Sequence, residues 1–145
     1  MSEKTGCVFC DFDSRHIIAE SELAFAAHFD CAIKPGHIVV ALKEHVESLA
    51  AMLPEQAADI MRLAARVARA AERVAGCEKF YLVSIADAVP HYHMHLLPLM
   101  RGEAPLGPCI MGDSGWKGEV GAAVGEEEIA RFISSCREAL SEQRR

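Results

Sequence analysis

His91, His93 and His95 stand at alternate positions in the run Pro90-His91-Tyr92-His93-Met94-His95-Leu96-Leu97-Pro98. On a β-strand, alternate side chains share a face, so the three imidazoles would project together at steps of about 7 Å. Tyr92, Met94 and Leu96 would point the other way and anchor the strand in a core. A lone histidine is ordinarily a satisfied core or surface residue, but three on one strand face have few such explanations. Two chemistries use a row of this kind. Imidazole is a good zinc ligand, and alternate strand positions bring rings together around a metal. Alternatively, one neutral imidazole attacks an electrophile while its neighbours donate hydrogen bonds to the developing charge. Histidine titrates near neutrality, which makes both protonation states available for that division of labour.

Cys7-x-x-Cys10 is a second candidate: a redox pair, half of a zinc site, or two free thiols in a loop. A redox pair wants a thioredoxin-like βαβ unit after it, and none follows. Zinc needs two further ligands. Cys77, Cys109 and Cys136 have no histidine or cysteine at ligand spacing and read as small apolar residues. Arg62, Arg66, Arg69 and Arg73 resemble a phosphate-binding ladder, but on a regular helix a solvated face paired with Glu55, Asp59 and Glu72 accounts for them better. The glycine-rich segment 107–118 is no phosphate-binding loop, because no strand-to-helix switch follows it.

The elements that must position these groups are legible in outline. Residues 23–29 are short, apolar and aromatic and predict a strand. Lys34-Pro35-Gly36 punctuates, and the β-branched run 37–42 predicts a second strand. Residues 80–85 and 91–99 predict a third and a fourth, and residues 7–18 a loop or short turn. Between Pro54 and Gly76, Ala57, Ile60, Met61, Ala64, Val67, Ala68, Ala71 and Val74 recur at three- and four-residue steps, predicting a long amphipathic helix. Residues 102–125 read as irregular. Residues 126–140 predict a terminal helix with Ile129, Phe132 and Ile133 on its apolar face. The expected fold is α+β: an antiparallel sheet of about five strands, one long helix packed on it and a C-terminal helix. With 145 residues, the chain is expected to be one domain, its core in residues 7–100 and its tail and terminal helix in 101–145.

Composition narrows the function classes. A formal net charge of −6 and a pI near 5.6 argue against a protein that coats nucleic acid, whose footprint is basic. The opening residues are polar, and no run approaches the roughly 20 apolar residues of a membrane span. The six cysteines are then expected as reduced thiols or metal ligands in a cytoplasmic protein.

The histidine run resembles the His-x-His-x-His signature of the histidine-triad nucleotide hydrolases. Cys7-Val8-Phe9-Cys10, Pro35-Gly36-His37 and Leu42-Lys43-Glu44-His45-Val46 agree with it, in the family's order, over residues 7–100. The resemblance implies a covalent mechanism in which His93 attacks the α-phosphorus of a purine nucleotide conjugate and water releases the monophosphate. It implies that His95 hydrogen-bonds the non-bridging oxygens and that His37 lies near the same site. A related branch of transferases has glutamine where this chain has His95, which favours hydrolysis. The resemblance also assigns Asp30 to the ribose hydroxyls, and Val8, Phe9, Phe12, His28 and Cys31 to the base pocket. The chemistry suits: a carboxylate is a bidentate acceptor and a purine wants apolar walls, although Phe9 and Phe12 could equally be ordinary core.

Family members with the cysteine pair complete a structural Cys2His2 zinc site with the residues matching His45 and His91, and homodimers are the rule. A tail tryptophan, Trp116 here, can approach the partner's site. The chain departs from the pattern before the triad. Many members carry Gly-Gln-Ser or Gly-Gln-Thr, whose hydroxyl assists the leaving group, where this chain has Ala86-Asp87-Ala88, and Ser84 falls where longer-looped members place asparagine. Two other functions compete with hydrolysis of this type: a triad whose three histidines all hold a catalytic zinc, and a zinc-stabilised nucleotide-binding module without turnover. Deadenylylation at DNA ends fits the acidic charge poorly.

Overall fold

A computed structural model describes residues 6–30, 32–105 and 124–143, so Cys31, Cys109 and Trp116 lie outside the described residues. Five strands and two helices follow in the order β1 (Ile17–Glu20), β2 (Ala24–His28), β3 (Ile38–Leu42), α1 (Pro54–Ala75), β4 (Cys77–Val83), β5 (His93–Met100) and α2 (Glu126–Glu142). The sheet runs β1-β2-β3-β5-β4 with every neighbouring pair antiparallel. The fold is thus the expected α+β arrangement. The strand absent from the sequence reading is β1. It has only four residues, too few for an alternation to show, and it follows a 3-10 turn at Ser14–His16.

Strand alternation sorts the sheet into two faces. Ala24, Ala26, Ile38, Val40, Leu42, Met94 and Leu96 pack with Ile60, Leu63, Ala64, Val67 and Ala71 of α1 and with Ile129, Ile133 and Cys136 of α2 in one core. On the opposite face, Phe25, Ala27, Val39 and Ala41 gather with Phe9 in a smaller apolar cluster. In β5, His93 lies across from Ala41 and His95 across from Val39, so both histidines belong to this second face.

The helix ends follow their residues. Pro54 occupies the first turn, Gln56 turns back to accept from the Leu53 amide at 2.9 Å, and Gly76 takes the left-handed C-cap at φ +65. The buried stripe is rotated from the expected one. Gln56, Leu63 and Ala70 flank Ile60, Ala64, Val67 and Ala71 on the covered side, whereas Met61 is exposed. An alanine-rich helix leaves open which flank a second helix will cover, and α2 packs here alongside the sheet. Asp59 also departs from its expected pairing with the arginines. Its carboxylate accepts from Ser21 Oγ at 2.5 Å and the Leu23 amide at 3.0 Å, tying the β1–β2 turn to α1. Arg66 and Arg73 donate to the carbonyls of Glu20 and Ala139.

The fourth expected strand starts two residues late. The His91 amide donates to the Val89 carbonyl at 2.8 Å and the Tyr92 amide to Val46 at 2.6 Å, so His91 sits in a bend before β5. The third begins directly after the helix, at Cys77 rather than residue 80. No helix among the described residues is long and apolar enough to cross a membrane.

Candidate active site and metal centre

His93 and His95 come from β5, and His37 from the residue just before β3; all three are buried. Their hydrogen bonds determine where the protons sit. His93 Nδ1 lies 2.6 Å from the His91 carbonyl oxygen. A carbonyl only accepts, so Nδ1 carries the proton and Nε2 keeps its lone pair. The Ile33 amide donates to His37 Nδ1 at 3.2 Å, which makes that nitrogen an acceptor and places the His37 proton on Nε2. His37 Nε2, 2.9 Å from His95 Nδ1, therefore donates to it. Neutral His95 must then carry its own proton on Nε2. The result is a nucleophilic lone pair on His93 beside a donor on His95, their rings 4.9 Å apart.

Burial keeps these rings neutral. It pushes His93 below the ordinary imidazole pKa, with the His91 carbonyl opposing. It takes His37 down to about 3, helped by the charge His95 would carry, and His95 down to about 4, helped by His93. The folded pKa values of His37 and His95 lie below the unfolded value, so the unfolded chain binds protons the folded chain refuses. The stability this confers is complete above about pH 6.5 and is lost as the pH falls through about 4 towards 3, at about 1.4 kcal/mol per pH unit for each ring that titrates only on unfolding. Urea midpoints should accordingly fall between pH 7 and pH 5. His37→Gln, which removes one of these groups, should shallow the decline; an unchanged slope would contradict the burial argument.

His91 turns away from this pair. Its Nε2–H donates to the Leu42 carbonyl at 2.7 Å, leaving Nδ1 to face Cys7 Sγ at 3.4 Å and Cys10 Sγ at 3.5 Å. His45 Nδ1 lies 3.4 Å from Cys10 Sγ. The four ligand atoms of Cys7, Cys10, His45 and His91 lie within 4.8 Å of one another. Tetrahedral zinc with its usual bond lengths separates a thiolate sulfur from an imidazole nitrogen by about 3.6 Å, so the donor set and its spacing fit that metal. The Leu42 carbonyl on His91 Nε2–H would also fix the orientation of that ring as a ligand.

Phe9 is buried with its ring 4.3 Å from His93, and Phe12 and Phe25 continue the aromatic wall, their rings 5.0 Å apart. Val8 beside them is exposed. Asp30 follows β2, half-exposed, with its carboxylate against His16. His28 is not brought to this face. Alternation sends it to the helix side, fully buried against Phe132, where Nδ1–H donates to the Phe29 carbonyl and Nε2 accepts from the Gly36 amide, each at 3.1 Å. Phe29 takes the place beside the histidines, 4.9 Å from the His37 ring and 5.0 Å from His95. The alternation Phe25, Ala27, Phe29 carried that signal. Gly36 sits at φ +83, where a Cβ would stand 3.3 Å from Pro98, so glycine is required for the turn that delivers His37.

The sequence profile of the HIT domain matches residues 13–102. The chain belongs to the HIT family. This HIT chain is similar in structure to a hypothetical histidine triad nucleotide-binding protein from Sulfolobus tokodaii, at 19% identity over 96% of this chain and 95% of that one, with a TM-score of 0.77. A zinc-bound histidine triad family protein from Mycobacterium smegmatis matches at 21% identity over 95% of both chains, with a TM-score of 0.71. Diadenosine triphosphate hydrolase from Plasmodium falciparum matches at 13% identity over 91% of this chain and 80% of that one, with a TM-score of 0.69. The HIT chain's departure before the triad leaves a mark: Ala86 takes φ +59, a conformation glycine adopts without cost. Ser84 Oγ, two residues earlier, donates to the His93 carbonyl at 2.7 Å and holds the start of β5.

Proposed function

We propose that this HIT chain hydrolyses purine nucleotide conjugates at the α-phosphate through a nucleotidyl-His93 intermediate. The observation that carries the reading is the His93 tautomer. A ring held neutral by burial, with Nδ1–H on the His91 carbonyl, presents Nε2 as an oriented nucleophile. As Nε2 bonds to phosphorus, the leaving group takes its electron pair, and His95 Nε2–H donates to the non-bridging oxygens. Water then attacks the same phosphorus, the P–N bond breaks with its electron pair returning to His93, and the proton that water loses goes to solvent. Phe9, Phe12 and Val8, with Cys31, would wall the base, and Asp30 would accept from the ribose. Brief mixing with diadenosine triphosphate followed by acid quench should leave an adenylyl mass on the peptide bearing His93. Tight mononucleotide binding with no adduct and no turnover would support a binding module instead. A catalytic zinc shared by all three triad histidines is disfavoured, because His91 Nδ1 faces the cysteines and not His93.

Zinc in the Cys7, Cys10, His45 and His91 cluster would be structural, with all four positions filled by protein. One domain spans the chain in this reading, and two copies form a homodimer, which light scattering would weigh.

Ala88 bears on the leaving group. An amine with a pKa near 10 must be protonated as its bond breaks, whereas a phosphate with a second pKa near 6 departs at neutral pH unaided. Adenosine polyphosphates should be cleaved at least about tenfold more efficiently than alkyl phosphoramidates, a barrier difference of about 1.4 kcal/mol. Ala88→Ser should narrow the gap by improving the phosphoramidate. A wild type that already prefers the phosphoramidate in kcat/KM at pH 7 would refute this.

A further inference from the structure

His16 is a buried histidine that no motif of the chain accounts for. It closes the 3-10 turn Ser14–His16. Its Nδ1 lies against Asp30 Oδ1, and its Nε2 lies 3.5 Å from Glu126 Oε2 in the first turn of α2. Three segments far apart in sequence thus meet at one imidazole. The nearby acid Asp13 is already engaged by Arg15 at 2.6 Å.

We infer that His16 is a positioning residue that aims Asp30 at the ribose and so sets a preference for ribose over 2′-deoxyribose. This rests on the assignment of Asp30 proposed above. Asp30 stands beyond the end of β2 with its side chain 55% exposed, and among the described residues no hydrogen bond from the sheet to its carboxylate is found. The contact with His16 occupies Oδ1 and leaves Oδ2, whose two lone pairs can accept from the 2′- and 3′-hydroxyls together. A carboxylate so aimed discriminates against a missing hydroxyl, because the lone pair turned towards it loses its donor. Glu126 stands beside the other ring nitrogen, which brings the C-terminal helix next to the imidazole. His16 touches no substrate atom in this arrangement. A mere strut would affect both sugars alike, whereas a positioning residue changes their ratio.

The test is calorimetric affinity of the full zinc-loaded chain for AMP and for 2′-deoxyAMP, in the wild type, Asp30→Ala, His16→Ala and His16→Gln. The wild type should prefer AMP by about tenfold or more, and Asp30→Ala should abolish the preference. His16→Ala should cut it to about threefold or less, chiefly by weakening AMP. His16→Gln, whose amide can reach and donate to Asp30, should keep more of it and guards against a simple folding defect. No preference in the wild type, or one that survives Asp30→Ala, overturns the ribose assignment and this inference with it. A preference lost in Asp30→Ala but intact in both His16 variants leaves the assignment standing and overturns the role of His16 alone. Equal weakening of both nucleotides in the His16 variants reduces it to a strut and also overturns the inference.

Discussion

Replacing His93 with alanine should lower turnover by at least about a hundredfold while leaving the fold, the zinc and mononucleotide affinity nearly intact. The expectation follows from where the side chain lies. His93 is on the sheet face opposite α1 and α2, outside the core formed by Met94 and Leu96 with α1. Its contacts are the Phe9 and His95 rings and the carbonyl of its own neighbour His91. Removing the ring opens a small gap under Phe9 but leaves no buried donor orphaned, because the His91 carbonyl is an acceptor with a second lone pair. The loss should therefore appear in kcat far more than in KM for a polyphosphate substrate. A His93→Ala protein that retains a tenth or more of wild-type kcat/KM would remove His93 from the chemistry.

Cys7→Ser or His45→Ala should release one zinc per chain and lower the melting temperature by at least about 5 °C, corresponding to roughly 1–2 kcal/mol. The cluster joins the N-terminal segment, the stretch after β3 and the entry to β5, so its loss frees three separate pieces of chain. The Phe9 wall lies between the two cysteines, and its displacement should raise KM for nucleotide even where kcat survives. His93→Ala should retain its zinc, which separates the two sites. Metal analysis by mass spectrometry and thermal scans check both points. Zinc content unchanged in Cys7→Ser would show that the four residues do not form the site.

The candidate site was the most legible part of the chain, since the His91–His93–His95 run and Cys7-x-x-Cys10 announce themselves by type and spacing, while His45 was reached only through the family resemblance. Their division of labour was less so. By spacing alone the three triad histidines read as one row; the family resemblance assigned His91 to the cysteines, and the bend made by the Val89 and Val46 bonds shows how it leaves the row. His28 and Phe29 are adjacent, and which faces the site depends on the register of β2 against β3, Ala24 opposite Leu42, rather than on either residue's character. His16 carries no local pattern at all, because its partners lie 14 and 110 positions further along the chain. The long helix was evident from its period, but the flank that α2 covers is a property of the pair of helices.

The hydrogen-bond chain from Ile33 through His37 to His95 has a direction, and its source is a peptide N–H. A peptide amide does not surrender its proton at any pH where the protein is folded, so the chain is closed at its Ile33 end. His37 can polarise His95 but cannot drain a proton from it into the interior or resupply one from behind. In the proposed reaction, proton movement then falls to the Nε2 edges of His93 and His95, the edges that would face the substrate and the attacking water.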